Sequence, residues 1–120
     1  MNIPELSQYS LEHAIVSNDI VIVEFYASWC TVCHSFAPVF ESAAASFPEV
    51  AFARINADRE KELAGEFEIK AVPTLMVFRE KIMVFKEAGA PPPPILEDVL
   101  RQAKSLDMAQ VRRDLGEQNS

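Results

Sequence analysis

Both cysteines of the chain lie in one heptapeptide, Ser28-Trp29-Cys30-Thr31-Val32-Cys33-His34. Thiols at positions i and i+3 stand about one turn apart if a helix begins there. Such a pair can trade electrons with other thiols or lend two ligands to a metal ion. With His34 directly behind, it also fits the C-x-x-C-H pattern that anchors haem c. Two inert thiols in a packed helix are the bland alternative. Glu24 is a second chemical oddity, the one charged residue in the run Ile20–Ser28. Burial would favour its neutral form and raise its pKa. The alternative is an edge position in water, paired with Arg54.

The elements that must hold these residues can be read around them. "DIVIVEFYAS" (19–28) is β-branched and aromatic on both faces, which predicts a buried central strand. "TVCHSFAPVFESAAASF" follows at helical period, with Val32, Phe36, Val39, Phe40, Ala43 and Phe47 on one stripe. Pro38 should kink that helix, because it removes a backbone donor. A short strand or turn and a helix capped near Ser10 come before; "VAFARINAD" (50–58) is a second strand and "REKELAGEFEI" (59–69) a short helix. "TLMVFRE" and "KIMVFKE" form a hairpin turning at Glu80-Lys81. The closing helix starts near Pro94 and buries Ile95, Leu96, Val99, Leu100, Ala103 and Leu106. The order βαβαβαββα gives an α/β fold, a central mixed sheet with helices on both faces. The domain is expected over residues 1–106, with 107–120 a polar tail that prolongs the last helix or frays.

Composition sets the working context. A chain of 120 residues, about half of it apolar, builds one core without disulfide staples. A net charge of −7 is repelled by phosphate backbones and anionic lipid, so no nucleic acid and no membrane are expected as partners. The start "MNIPELSQYSLEH" has neither a basic nor an apolar run, so no secretory signal is read and the expected location is cytoplasmic. In that compartment a C-x-x-C is catalytic or metal-binding rather than structural. The run Pro91–Pro94 contains P-x-x-P but has no adjacent basic residue, and it reads as a stiff approach to the last helix.

At this point the chain resembles the thioredoxin family, over roughly residues 3–106. "VIVEFYASWC" is similar to the family's central strand running into its active site, and "WCTVC" stands where the family has WCGPC. "FAPVFE" matches the Pro-kinked helix, "RINAD" the next strand, "AVPTLMVF" the strand start with the cis-proline, and "EAGA" the glycine facing the site. The departures are Thr31-Val32 for Gly-Pro, Glu24 where Asp is more usual, Arg54 where Lys is common, and no glycine in "REKIM".

The resemblance implies a thiol–disulfide oxidoreductase that reduces protein disulfides through Cys30 and Cys33. Cys30, just ahead of the helix, gains from its free N–H groups and dipole and is the exposed nucleophile. Cys33, one turn in, is the protected, resolving thiol. Glu24 would take a proton from Cys33 as it attacks. Trp29, Thr31, Val32, Val72, Pro73 and Gly89 would meet the substrate. The loop at Pro73 would face the cysteines and offer backbone groups to an extended peptide; simple strand initiation is the plainer account of Pro73. Clients would be disulfide-containing proteins. Electrons would come from a thioredoxin reductase or a glutathione system, the chain itself acting as a monomer without cofactor or metal. Haem c needs an open pocket and export, against a motif set inside a β–α unit. Zinc wants four N/S ligands, and beyond the two cysteines only His13, on another helix, and His34 are on offer. His34 is read as a solvated helix residue that modestly tunes the thiols. A thioredoxin-fold binding or chaperone module with auxiliary cysteines is the competing function.

Overall fold

The computed structural model describes residues 3–119, with side chains through Gly116. Its spine is strand β1 (Ile20–Tyr26), buried along its whole length. Successive side chains leave a strand on opposite faces. Ile20 and Ile22 therefore enter one apolar cluster, and Val21, Val23 and Phe25 another. The sheet order is β2-β1-β3-β4, with β2 Ala51–Asn56, β3 Thr74–Arg79 and β4 Ile82–Ala88. β2 lies parallel to β1, whereas β3 and β4 are antiparallel to their neighbours. Helices α2 (Thr31–Ser46) and α4 (Pro93–Ser105) cover the Ile20/Ile22 face through Phe36, Phe40, Leu96 and Leu100. Helices α1 (Gln8–Ser17) and α3 (Lys61–Glu66) cover the other through Leu11, Leu63 and Ala64. This is the α/β mixed sheet expected, and truncating fully buried Leu96 or Leu100 to Ala should cost about 2–5 kcal/mol.

Several local expectations are corrected. The opening strand is a single parallel bridge, Glu5 to Arg54. α1 is capped by Ser7 rather than Ser10, which sits at N3 and completes a reciprocal capping box. Val32 is 54 % exposed, because the buried stripe of α2 begins at Cys33 and runs through Phe36, Phe40 and Ala43. Ile95 and Leu106 also stand out of the core, since α4 packs beside the edge strand β4 and has no strand beyond it to meet. Pro38 lies inside α2, as expected, and faces solvent, so the backbone donor it lacks is missing on the exposed side of the helix.

Beyond α4 the backbone turns extended at Leu106 (φ −61°, ψ 138°), and a helix of its own follows, α5 (Met108–Asn119). Asp107 Oδ1 accepts from Gln110 N at 3.1 Å, and Met108 is buried. Arg79 fastens this end of the molecule. Its Nη1 donates to the carbonyls of Ala103 (2.7 Å) and Lys104 (3.0 Å), the last turn of α4. Glu80 then pairs with Arg112 of α5. The β3–β4 turn places Glu80 (φ 50°) and Lys81 (φ 73°) in the left-handed region, the pattern of a two-residue hairpin turn.

Candidate active site

The site is built where β1 hands over to α2. Cys30 N donates to Ala27 O at 3.2 Å, closing a turn that presents Ser28 and Trp29 to solvent. Cys30 is the N-cap of α2, and its Sγ accepts from Cys33 N at 3.1 Å. A sulfur thus does what a Ser or Asp oxygen does at other helix starts. The cysteines are joined as a disulfide, with Cα atoms 5.2 Å apart. Sulfur at this position faces unpaired N–H groups and the positive end of the helix dipole, so a thiolate is favoured on Cys30 once the bond is reduced.

One sequence expectation changes here. Cys30 is 5 % exposed and Cys33 1 %, so neither is freely accessible. Tyr26, Ala27 and Val72 pack around the pair and cover Cys30 as well. The accessible surface beside the sulfurs belongs instead to Trp29, 70 % exposed, and to Val32 and Thr31.

The start of β3 brings the second wall. The Val72–Pro73 peptide is cis, and Val72 O lies 3.8 Å from Cys30 Sγ. Gly89, at the end of β4, donates its N–H to Pro73 O at 2.8 Å. Gly89 holds φ 117°, and a Cβ there would meet no atom within 4 Å. Backbone conformation, not space, is therefore what calls for glycine. Thr74 Oγ1 donates to Ala71 O at 2.6 Å and steadies the loop. The structure thus brings Trp29, Thr31, Val32, Val72, Pro73 and Gly89 to one end of the sheet around the two cysteines.

Glu24 joins them from beneath. It follows Ile22 on the α2-facing side of β1 and precedes Tyr26, which packs on the cysteines. The residue is wholly buried, and Arg54 Nε donates to its Oε1 at 3.1 Å. Arg54 is itself spread over the Tyr26 ring, 3.9 Å from its centroid. The two readings of Glu24 are thus partly merged: the acid is buried, and it is also paired with Arg54. Burial pushes its pKa above the ordinary value of 4.5, and the Arg54 charge and hydrogen bond hold it back.

Two supporting residues escaped the sequence reading. Asp58 Oδ2 accepts from Trp29 Nε1 at 2.8 Å and anchors the exposed indole. Asn56 Oδ1 in turn accepts from the backbone N–H of Asp58 (3.0 Å) and Arg59 (3.2 Å). The signal was "NAD", an Asn-led turn directly after a strand. His34 is exposed as expected, but it is not free: its Nε2 donates to Ser28 O at 2.7 Å, tying α2 back to the turn before it. His13 lies on α1, within 3.5 Å of Ser17 Oγ. Among the described residues no group of three or more His, Cys, Asp or Glu is placed to hold a metal ion.

The architecture and the site have counterparts. The family model described as Thioredoxin matches residues 2–102. A Streptomyces coelicolor protein named "Putative thioredoxin 2" is 39 % identical over 116 residues, 97 % of this chain and 87 % of its own length. Among solved structures, a thioredoxin of Halobacterium salinarum superposes with a TM-score of 0.79 at 30 % identity, covering 86 % of this chain and 93 % of its own. The oxidised mitochondrial thioredoxin 3 of Saccharomyces cerevisiae gives 0.78 at 28 % identity, covering 83 % and 94 %.

Proposed function

The chain belongs to the thioredoxin family and is a thiol–disulfide oxidoreductase, and on that premise we propose how its residues divide the work. The Cys30 thiolate attacks one sulfur of a client disulfide. The client S–S bond breaks, one client thiolate leaves, and Cys30 is joined to the client. Cys33 then gives up its proton and attacks Cys30 Sγ. The mixed disulfide breaks, the second client thiolate leaves, and the Cys30–Cys33 bond forms. Two electrons pass to the client; of the two protons its thiolates then take up, one is the proton released by Cys33 and the other comes from the medium.

The observation that carries this division is the Cys33 N–H aimed at Cys30 Sγ at 3.1 Å. It sets Cys30 at the charge-stabilising end of the helix and Cys33 one turn inside, within bonding reach. Glu24 takes the Cys33 proton during resolution, supported by its burial and its place in the row below the cysteines. Trp29, Thr31, Val32, Val72, Pro73 and Gly89 form the client-binding rim. The Val72 carbonyl offers an acceptor to an extended client backbone.

Thioredoxins are reduced by thioredoxin reductase, and we take such a reductase, or a glutathione system, as the electron donor here. The working compartment we propose is the cytoplasm: the chain's two cysteines are the reactive pair, with none left for a structural disulfide. No helix among the described residues is long and apolar enough to cross a membrane. We propose that the protein acts as a monomer, with residues 1–106 as the catalytic domain and the segment from Asp107 as an addition to it.

Insulin reduction with NADPH and a thioredoxin reductase tests the reading. The protein should precipitate the insulin B chain catalytically, and a Cys30→Ser/Cys33→Ser double variant should not. Equal precipitation by both would contradict dithiol exchange through this pair.

A further inference from the structure

The hydrogen bond from the His34 ring to Ser28 O brackets both cysteines. Ser28 stands before Cys30 and His34 directly after Cys33, so the 2.7 Å contact closes a loop around the dithiol. Three backbone donors close the same stretch: Cys30 N to Ala27 O, His34 N to Cys30 O, and Cys33 N to Cys30 Sγ. The first two arise with any side chains, and the third needs only the sulfur. The fourth bond depends on what stands at position 34.

The ring chemistry makes this bond durable. A carbonyl oxygen only accepts, so Nε2 carries the proton. Nδ1 enters no hydrogen bond among the described residues, and a proton taken up there leaves the Nε2–H in place. The contact is therefore made by the neutral and by the charged imidazole. What it holds has little other support. Ser28 and Trp29 are exposed, outside the apolar packing that surrounds Cys30 and Cys33. In the oxidised chain the disulfide ties Cys30 to α2, with the two Cα atoms 5.2 Å apart. Reduction removes that tie and leaves the hydrogen bonds alone to hold the turn.

We propose that His34 is a positioning residue for dithiol exchange: its ring holds the Ser28–Cys30 turn against the start of α2, so that Cys30 Sγ stays within reach of Cys33 when no disulfide joins them. The proposal rests on the dithiol reading above. The step it serves is resolution, in which the Cys33 thiolate bonds to Cys30 Sγ and the client thiolate leaves. The ring contact and the disulfide both draw the turn to the helix, so each reduces the freedom lost in forming the other. The contact thus favours the oxidised form and hastens the attack by Cys33.

The test compares the full wild-type chain with His34→Ala and His34→Gln. A Gln amide carries its N–H as many bonds from Cβ as Nε2 does, and it has no charge; both replacements are good helix formers. Each protein is equilibrated with glutathione buffers, and the ratio of Cys30–Cys33 disulfide to dithiol is read by mass spectrometry. His34→Ala should shift that ratio toward the dithiol about threefold, in keeping with one partly exposed hydrogen bond, and His34→Gln should restore most of it. In rapid mixing, the attack of Cys33 on a mixed disulfide at Cys30 should slow by about the same factor in His34→Ala and recover in His34→Gln. A ratio unmoved in His34→Ala, or moved toward the disulfide, overturns the proposal. So does His34→Gln behaving as His34→Ala, because the charge of the ring rather than its bond would then be what acts. A wild type that forms no Cys30–Cys33 disulfide in any of the buffers overturns the dithiol reading itself.

Discussion

Glu24 is held by one oxygen only. Its Oε1 accepts from Arg54 Nε at 3.1 Å, while the buried Oε2 meets no hydrogen-bond partner among the described residues. A carboxylate satisfied on one side and bare on the other is costly to keep ionised and ready to take a proton. The guanidinium stays charged at every working pH and opposes the rise in pKa that burial causes.

Replacing Glu24 by Gln should therefore slow the step in which Cys33 releases the client, most visibly near neutral pH, with the first attack by Cys30 unchanged. Rapid-mixing kinetics that separate the two steps provide the check. Identical resolution rates across the pH range would remove Glu24 from proton transfer.

The same residue has a stability signature. Its pKa is raised in the folded chain above 4.5, so the folded state holds this proton more tightly than the unfolded one. The resulting stabilisation is fully present below the unfolded pKa and is lost as pH rises through the folded pKa. Denaturant titrations of wild type and Glu24→Gln should thus diverge on raising the pH above about 4.5, the variant becoming the relatively more stable. Parallel pH profiles would contradict the raised pKa.

Much of this was legible in the chain, for identifiable reasons. The unbroken β-branched and aromatic run along Ile20–Tyr26 and the 3.6 period of Phe36, Phe40 and Ala43 are imposed by burial, so strand and helix could be read directly. Exposure at Val32, Ile95 and Leu106 was hidden, because an apolar letter does not say whether a neighbouring element exists to cover it. The cover over Cys30 and the Asp58–Trp29 bond were hidden too, since both depend on loops meeting across the sheet end. The cap read near Ser10 belongs to Ser7, because α1 begins at Gln8 and Ser10 meets the cap from N3.

Thr31-Val32 occupies the first two helical positions behind Cys30. A proline at 32 would remove an N–H from the group of donors that favours the Cys30 thiolate. Exchange of Thr31-Val32 for Gly-Pro should lower the reduction potential by about 30 mV, equivalent to roughly 1.4 kcal/mol. Equilibration with a glutathione buffer measures it; an unchanged or higher potential would show that this dipeptide does not set the redox poise.

Lys81 sits at φ 73° in the hairpin turn, where a Cβ costs about 1–2 kcal/mol. It forms none of the ion pairs seen among the described residues, so Lys81→Gly sacrifices little in the folded state. Allowing for the extra freedom of glycine when unfolded, a net gain of about 0.5–1 kcal/mol is expected. Chemical denaturation should show a higher midpoint at unchanged slope, and a lower midpoint would contradict the strain.

The division of labour between the two sulfurs is most directly tested by trapping. Cys33→Ser leaves the thiol at the helix N-cap but removes the one that resolves it; Cys30→Ser does the reverse. Each reduced variant is mixed with a disulfide-containing protein, quenched by acid, and analysed intact by mass spectrometry. The account predicts a stable adduct on Cys30 in Cys33→Ser and none in Cys30→Ser. An adduct on Cys33 in the Cys30→Ser protein, with none in Cys33→Ser, would reverse the roles and contradict it.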